Sequence, residues 1–478
     1  MTSATLNPFR TGAAGKARLA GLPSGVVLFM LDVLAVLGVW PVLLWAGGAG
    51  GTLPAHGGAV LYPAAHLLLL YAMGMYRRDA MVEMRRSLSR LPLVVGMGMA
   101  LATAVVVAVA LATGGPLRWT EPAAAFAVGA INFTAAAAAA RLAFRALRQR
   151  GVLHRRLLII GAGTRAWDLL LMLGREGRTL NDTVYCLHDP AHGDIDDRLV
   201  ADPAVRIVEG ISALDAARLA RADQIVVAPE ERRGMKLETL VACKRAGFPV
   251  VEYLGFVEKE IRRVDLKRME LGWLLYSDGF RFSLMDRALK RLFDLTVSTL
   301  VLVAMSPFLA LAALAIRLEG KGPVLYRQTR VTVDGCHFEI LKLRTMRVDA
   351  EAQGIVWARA KDDRITAVGR FLRRTRIDEL PQLANILTGE MSFVGPRPER
   401  PEFVAALARD IPLYHERHMV KAGLTGWAQV NYPYGASVND ARSKLSYDLY
   451  YVKNFSILFD FVILLQTLRV VLWPSGVR

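Results

Sequence analysis

The stretch LFDLTVSTLVLVAMSPFLALAALAIRL, residues 292–318, decides how the second half of the chain meets a membrane. It is apolar for long enough to cross a bilayer as a helix, but Ser306 and Pro307 lie in its middle. Proline removes a backbone donor and clashes with the preceding turn, so it kinks or breaks a helix. Each half then has only ~11–15 residues, about half of what a span requires.

Positive charge flanks this run on both sides. By the positive-inside rule, basic flanks place both ends of the run on the same, cytoplasmic face. We therefore predict a re-entrant helix hairpin over residues 290–319, and a fifth, kinked spanning helix is the alternative. The flanking residues are Arg287, Lys290 and Arg291 before the run, and Arg317 and Lys321 after it.

The composition of the whole chain also indicates a membrane protein. Of its 478 residues, 53% are hydrophobic, and this length allows about two to four domains. The formal net charge of +17 indicates an anionic partner. Beside membrane segments, anionic lipid or a phosphorylated substrate is the expected partner, and no nucleic-acid partner is expected. The three cysteines lie far apart, so neither a zinc site nor a disulfide framework is indicated.

The region 23–145, which follows a basic tail at 1–22, contains four apolar runs that we predict to be transmembrane helices. Arginines crowd the connection between the second and third runs, whereas the other two connections carry almost no charge. Both ends of this bundle are therefore predicted to be cytoplasmic. The runs are Val26–Trp45, Val60–Tyr76, Leu91–Thr113 and Ala123–Ala140.

Residues 154–257 are predicted to form a Rossmann-like module with a parallel sheet. A short apolar strand, Arg156–Ile160, runs into Gly161-Ala162-Gly163 and then into a helical pattern, the layout that binds a dinucleotide pyrophosphate. Gly161 and Gly163 are the candidate cofactor turn. No hydride-transfer residues accompany them, so a structural or regulatory module is the favoured alternative. Later strands are expected at Thr183–Leu187, Ala222–Ala228 and Phe248–Leu254, and residues 258–285 are predicted to be a docking linker.

Two carboxylates lie between two sets of arginines in RRTRIDELP (373–381) and FVGPRPER (393–400). Arginine presents a planar fork of donors that suits phosphate, and a carboxylate can bind Mg²⁺ or attack an electrophile. The pair Asp378 and Glu379 therefore indicates chemistry on a phosphate ester. The alternative is that both acids merely start a helix, because acids favour its amino-terminal end. A predicted strand pair, Val324–Arg330 and His337–Leu343, brings a second basic cluster that includes Lys342 and Arg344.

From about Asp286 onward, the chain resembles the bacterial sugar transferase family, the monotopic phosphoglycosyl transferases that act on polyprenyl phosphate. Its long multi-domain branch also has membrane helices and a Rossmann-like module, and the linker further resembles exosortase-associated members. Thr332 and Ala422 depart from the usual glycine and proline beside two motifs. The motifs are Ser306-Pro307, Gly322-Pro323-Val324 with Arg327-Gln328-x-Arg330, Lys342-Leu343-Arg344-Thr345-Met346, Asp378-Glu379-Leu380-Pro381-Gln382, Pro396-Arg397-Pro398, and Gly423-Leu424-Thr425-Gly426-Trp427-Ala428-Gln429-Val430-Asn431.

The resemblance implies transfer of hexose 1-phosphate from a UDP-sugar to undecaprenyl phosphate, with release of UMP, to start exopolysaccharide or O-antigen repeat units. It implies that Asp378 is the nucleophile, forming a covalent aspartyl phosphosugar, and that Glu379 binds Mg²⁺. It also implies a mostly α, monotopic catalytic domain over 286–478 on the cytoplasmic face of the bacterial inner membrane. Candidate phosphate-binding residues are Arg376, Arg397, Lys342 and Arg344, and candidate nucleotide or loop residues are Pro396, Pro398, Thr425 and Gln429.

The predicted fold class is therefore an α/β membrane protein with a four-helix bundle, a Rossmann-like module and a domain with a re-entrant hairpin. Two other functions stay open: a membrane-bound, NAD-dependent sugar oxidoreductase, and a non-catalytic scaffold for polysaccharide assembly. No residue identifies the hexose, so glucose, galactose and N-acetylated sugars remain. The extra domains would suit a homodimer.

Overall fold

The apolar runs near the amino terminus form helices in the computed structural model. It describes residues 22–46, 58–114, 120–176, 181–269, 279–280, 283–348, 362–432, 435 and 437–472. Tyr62, Met99 and Phe133 pack together between these helices, and Arg141 Nη1 donates to Asp32 Oδ1 at 2.6 Å. The helices are α1 (Ser24–Ala46), α2 (Gly58–Ala72), α3 (Arg78–Val82), α4 (Met84–Thr113) and α5 (Thr120–Gln149).

Three described helices are long and apolar enough to cross a membrane: Met84–Thr113, Phe126–Gln149 within α5, and Leu284–Glu319. The apolar stretches described in α1 and α2, Ser24–Val39 and Leu61–Ala72, are shorter. The four predicted helices thus form, while the four-helix transmembrane bundle itself stays a prediction.

A five-stranded parallel sheet follows, as the sequence predicts. Its strand order is β3-β2-β1-β4-β5, and β1 lies at the centre because its apolar residues Leu157, Leu158 and Ile159 are buried on both faces of the sheet. The sequence analysis missed β3, a four-residue strand at the sheet edge. The elements are β1 (Arg155–Ile160), α6 (Thr164–Glu176), β2 (Asn181–Leu187), α7 (Asp197–Val200), β3 (Val205–Val208), α8 (Ala213–Ala220), β4 (Gln224–Val227), α9 (Leu237–Arg245), β5 (Val250–Glu252) and α10 (Tyr253–Ile261).

The chain divides into two units, one of Met1–Leu70 with Met75–Phe256 and one of Tyr71–Gly74 with Val257–Arg478. Within the second unit, the first part of the predicted linker packs onto the domain that follows it. Trp427 Nε1 donates to the Arg262 carbonyl at 2.8 Å, and Lys453 contacts Glu258 at 2.8 Å. The linker aromatics Trp273, Tyr276 and Phe282 lie outside the described residues.

The long apolar run forms α11 (Leu284–Glu319), which begins with a capping box between Ser283 and Asp286. Pro307 lies inside this helix without interrupting it, so the predicted break is not seen as two separate helices and the hairpin stays a prediction. Phe293 packs against the main core of the domain and Ile316 against a second cluster, whereas residues near the middle such as Val303 are exposed.

The rest of the second unit is mostly α, with small sheets. Strands β6 and β7 are antiparallel, and β8 and β9 are parallel. The elements are β6 (Leu325–Val331), β7 (His337–Leu343), α12 (Ala367–Thr375), α13 (Gln382–Thr388), β8 (Ser392–Val394), α14 (Pro401–Asp410), β9 (Gly423–Thr425), α15 (Trp427–Asn431), α16 (Val438–Lys453) and α17 (Ile457–Leu472), with 3₁₀ turns at Val333–Gly335, Ile377–Glu379 and Tyr414–Met419.

Candidate active site

The two carboxylates lie on a tight turn between two helices. Helix α12 begins at a Thr366 side-chain cap and ends at Arg376, whose φ of 60° reverses the chain into the left-handed region. The 3₁₀ turn Ile377–Glu379 follows, and α13 starts soon after it. Both carboxylates do precede a helix, as the helix-start alternative expected, yet Asp378 and Glu379 are only 8% and 9% exposed. Burial of adjacent acids is costly unless other groups compensate their charge.

Glu379 receives that compensation from three cations. Arg397 Nη2 donates to its Oε1 at 2.8 Å and Lys342 Nζ to the same atom at 3.4 Å, while Arg376 Nη1 lies 3.7 Å from Oε2. Burial alone would raise the pKa of Glu379, but these three cations outweigh burial and hold the pKa well below its usual range. Glu379 is therefore ionised at neutral pH.

The surroundings of Asp378 shift its pKa in the opposite direction. Burial, and next the negative charge of Glu379, raise its pKa to about 6, although Lys342 and nearby arginines partly oppose them. Its Oδ1 is buried and has no hydrogen-bond partner among the described residues. A carboxylate oxygen in this state is poorly stabilised, so it is a better nucleophile or metal ligand than a fully hydrogen-bonded one.

A buried polar network, which the sequence analysis did not identify, anchors Arg397 from behind. Arg417 Nη2 donates to the Arg397 carbonyl at 3.0 Å and to Asp448 Oδ2 at 2.8 Å, and Arg417 Nη1 donates to the Tyr414 hydroxyl at 2.9 Å. Asp448 is an acid within the aromatic stretch SYDLYYV of α16, and a charge among buried apolar residues usually has a partner. An acid within such an apolar stretch was the signal in the sequence that could have predicted this network.

The carboxylate turn lies in the part of the chain that matches known proteins. The family described as bacterial sugar transferase matches residues 285–474. The chain is 39% identical over 242 residues to a UDP-N-acetylgalactosamine-undecaprenyl-phosphate N-acetylgalactosaminephosphotransferase of Aeromonas hydrophila, covering 50% of this chain and 56% of the relative. It is 42% identical over 189 residues to the exopolysaccharide production protein PSS of Rhizobium leguminosarum, covering 38% of this chain and 94% of the relative.

The chain belongs to the bacterial sugar transferase family. A UDP-glucose:undecaprenyl-phosphate glucose-1-phosphate transferase of Escherichia coli K12 is another relative, 42% identical over 184 residues that cover 38% of this chain and 40% of the relative. The chain thus matches only about half the length of the Aeromonas and Escherichia relatives. The matched family region contains the carboxylate turn, its cations and all of α11 after Leu284.

Arg344, a predicted phosphate-binding residue in the family region, makes its hydrogen bonds away from the two carboxylates. Its guanidinium donates to the carbonyls of Ile316, Gly320 and Lys321, at 3.1, 2.8 and 2.9 Å, and so caps the carboxyl end of α11. The structure therefore brings Arg397, Lys342 and Arg376 to Glu379 but places Arg344 at the end of the long helix.

The Gly395–Arg397 loop of this family member packs backbone to backbone on the loop that begins at Gly423. Gly395 N–H donates to the Thr425 carbonyl and Gly423 N–H to the Pro396 carbonyl, both at 2.8 Å. Pro398 accepts from Arg330 Nη1 at 3.2 Å through its carbonyl. These contacts position Arg397 through its own loop.

The other predicted loop residues have local partners. Thr425 Oγ1 contacts Thr467 Oγ1 at 2.6 Å, and Gln429 Nε2 donates to the Leu424 carbonyl at 3.1 Å. In α11, Ser306 Oγ donates to the Val303 carbonyl at 2.9 Å, as helical serines often do. The nucleotide-binding role of the loop residues stays a prediction.

The carboxylates fit the Mg²⁺ that the family implies. Magnesium usually takes one or two protein carboxylates and completes its shell with substrate phosphate and water. Asp378 offers a buried oxygen that has no hydrogen-bond partner in the described parts of the chain, and Glu379 offers an ionised carboxylate beside it. No group of three or more metal-ligating side chains occurs in the described part of the chain, so phosphate and water would have to supply the remaining ligands.

The glycine turn of the parallel-sheet module already carries an anionic side chain. Glu230 Oε1 accepts from the Arg165 N–H in the first turn of α6, where a pyrophosphate would bind. A Cβ at Gly163 would lie 2.7 Å from the Glu230 side chain, and one at Gly161 2.6 Å from the Ala228 carbonyl oxygen. The glycines therefore allow close backbone packing here, and Asp189, just after β2, caps the turn that follows it.

Proposed function

We propose that the protein transfers hexose 1-phosphate from a UDP-sugar to undecaprenyl phosphate and releases UMP. The observation that carries this proposal is the unequal carboxylate pair. One oxygen of Asp378 has no hydrogen-bond partner among the residues that the structure describes, whereas Glu379 is held ionised by Arg397 and Lys342. The names of the Aeromonas and Escherichia relatives describe reactions of this class.

In the proposed reaction, an Asp378 carboxylate oxygen attacks the sugar-bearing β-phosphorus of the UDP-sugar. The bond between that phosphorus and the bridging oxygen breaks, and UMP leaves with the oxygen and its electron pair. Arg397, Lys342 and Arg376 offset the negative charge that gathers around the phosphoryl group. Bound Mg²⁺ would add positive charge at the same phosphates.

The second step returns the carboxylate. A phosphate oxygen of undecaprenyl phosphate attacks the phosphorus of the aspartyl phosphosugar, and the bond to Asp378 breaks. The product is undecaprenyl diphosphate sugar, and Asp378 leaves as a carboxylate. Two displacements with one nucleophile let a single phosphate site serve a soluble and a lipid substrate in turn.

The long helix supports a position at the membrane surface. A straight helix of 36 residues would be ~54 Å long, yet both ends of α11 contact the same domain. Near its start, Arg291 donates to the Ile386 and Leu387 carbonyls at 2.6 and 2.7 Å, and near its end Ile316 packs with Leu372. These contacts favour a bend at Pro307. The exposed middle would then dip into one leaflet of the inner membrane, with the carboxylates at its cytoplasmic face.

A trapping experiment tests the nucleophile. The full chain is mixed with UDP-glucose or UDP-N-acetylgalactosamine that carries radioactive phosphorus in the β-phosphate, without lipid acceptor, and then denatured. We expect label on the wild-type protein and on the control Asp410→Asn, an exposed acid outside the site, but none on Asp378→Asn.

The assay also separates the proposal from a scaffold role. Label on Asp378→Asn at the wild-type level would overturn the nucleophile assignment. Absence of both label and UMP release in the wild type, over a panel of UDP-hexoses with undecaprenyl phosphate added, would overturn the transferase proposal. The sugar that gives the highest kcat/KM in this panel identifies the hexose.

A further inference from the structure

A cavity of about 470 Å³ opens where α3, α4 and α5 meet, outside the carboxylate site and within the first unit. Four arginines line it, against one described carboxylate, Glu83, which itself pairs with Arg86. Arg85, Arg86 and Arg145 are exposed and Arg148 is half-buried, so their guanidinium groups can reach a ligand from solvent. This lining favours an anion.

The cavity is apolar on its other side. Met81 and Phe144 are buried in its wall, and Val82, which also lines it, is 48% exposed. Apolar lining does not contribute to the binding of a free inorganic anion. An amphipathic ligand can instead bind both the arginines and the apolar side of the cavity.

The start of α4 adds to the preference for an anion. Its N-cap residue, Glu83, makes no side-chain cap bond within the described helix, and the first turn contains no acid. The partial positive charge of the helix end therefore adds to that of Arg85 and Arg86 at the cavity.

The position of the cavity along the helices favours a membrane lipid as the ligand. Both α4 and the described part of α5 are long and apolar enough to cross a membrane, and the cavity lies at their arginine-rich ends. Beyond it, α4 presents exposed apolar residues such as Leu93 and Leu101. A lipid bound with its headgroup in the cavity could lay its acyl chains along this surface.

We propose that this cavity binds the phosphate of an anionic bilayer phospholipid. The arginines and the amino-terminal end of α4 hold the phosphate, the exposed Val82 contacts the glycerol and upper acyl chain, and Glu83 limits the affinity by competing for Arg86. The volume is within the range of small-ligand sites and suits a single headgroup.

Native mass spectrometry of the full chain in neutral detergent tests the proposal. Phosphatidylglycerol is titrated, with phosphatidylcholine, which is zwitterionic and has no net charge, as the comparison. Arg85→Gln/Arg145→Gln should weaken phosphatidylglycerol binding by at least about tenfold, because each basic group near a membrane surface contributes to lipid binding. The matched control Arg90→Gln/Arg150→Gln removes the same charge outside the cavity lining and should retain wild-type binding.

Glu83→Gln should strengthen phosphatidylglycerol binding, a gain that misfolding cannot mimic. Equal weakening in the cavity variant and its control would overturn the proposal, because charge anywhere on the bundle would then suffice. Competition by inorganic phosphate as effective as that by lipid would also overturn it.

Discussion

Asp378 and Glu379 are adjacent in sequence, yet their surroundings move their pKa values in opposite directions. Glu379 faces Arg397, Lys342 and Arg376 and stays ionised, whereas burial and the Glu379 charge raise the pKa of Asp378 to about 6. Neighbouring titratable groups with divergent pKa values are typical of sites that divide the work of acid, base or nucleophile. The difference gives the proposed reaction a defined pH dependence.

We expect kcat/KM for UMP release to fall as the pH drops through about 6, because Asp378 is then protonated and loses its nucleophilic electron pair. Lys342 lowers the pKa of Asp378, so Lys342→Met should move this acid limb to higher pH. The exposed control Lys321→Met should leave the limb in place. A rate that stays constant through about pH 6 would contradict the role of an ionised Asp378.

Arg417 should matter for stability and catalysis alike. Arg417→Met leaves Asp448 buried without its cation, which costs ~3–5 kcal/mol in comparable buried pairs, and it removes the anchor of the Arg397 carbonyl. We expect a lower thermal midpoint and a lower kcat. Arg417→Met/Asp448→Leu should recover much of the midpoint but not the kcat, since the Arg397 anchor is still missing. Full recovery of both would show that Arg417 has no positioning role.

At the scale of elements, the site depends on two short loops that pack backbone to backbone. Strands β8 and β9 pair in parallel at Ser392 with Gly423 and Val394 with Thr425, and this pairing places the Arg397 loop over the carboxylate turn. Gly395 and Gly423 are required here, because the two backbone segments approach each other more closely than any side chain would allow.

Gly423→Ala should therefore lower stability and activity together. Its new Cβ would lie 2.1 Å from the Gly395 nitrogen, so the Arg397 loop must shift, at a cost of ~1–3 kcal/mol or more. Gly320→Ala is the matched control, because no atom lies within 4 Å of its Cβ position among the described residues. Thermal unfolding and UMP release measure both effects, and equal midpoints for the two variants would contradict the packing argument.

At the scale of the whole molecule, the direction in which α11 leaves the membrane decides where the site lies. A hairpin keeps the carboxylates with nucleotide substrates in the cytoplasm, whereas a fifth span would place them outside. The side of the membrane on which Lys321 lies, just beyond the end of α11, distinguishes the hairpin from a fifth span.

The topology can be read by cysteine labelling. Cys186 and Cys243 are buried, so replacing the exposed Cys336 by serine gives a nearly unreactive background. In this background, Lys321→Cys should react with an impermeant maleimide in inverted membrane vesicles but not in intact cells. Ala55→Cys, in the loop between the first two apolar runs, should react in intact cells. Labelling of Lys321→Cys from outside would rule out the hairpin.

The sequence by itself determined the features that depend on neighbours along the chain. Two short runs on either side of the turn-forming Asp334-Gly335 predicted β6 and β7, and the glycine turn after an apolar strand predicted the parallel sheet. The acid pair beside arginines indicated the candidate site. The predicted strand pair at Val324–Arg330 and His337–Leu343 differs from the observed β6 and β7 by one residue at most at any end. Local propensity and periodicity suffice for such features because they act over a few residues.

Only the tertiary structure decided which charged groups meet. Arg397 and Lys342 reach Glu379 across 18 and 37 residues, Arg344 turns away to cap α11, and Glu230 occupies the glycine turn from 65 residues away. In the sequence, nothing distinguishes these basic residues from one another, because each of them belongs to one of the motifs. Their partners are fixed by the path of the chain, because an ion pair forms only where burial brings opposite charges within a few ångströms.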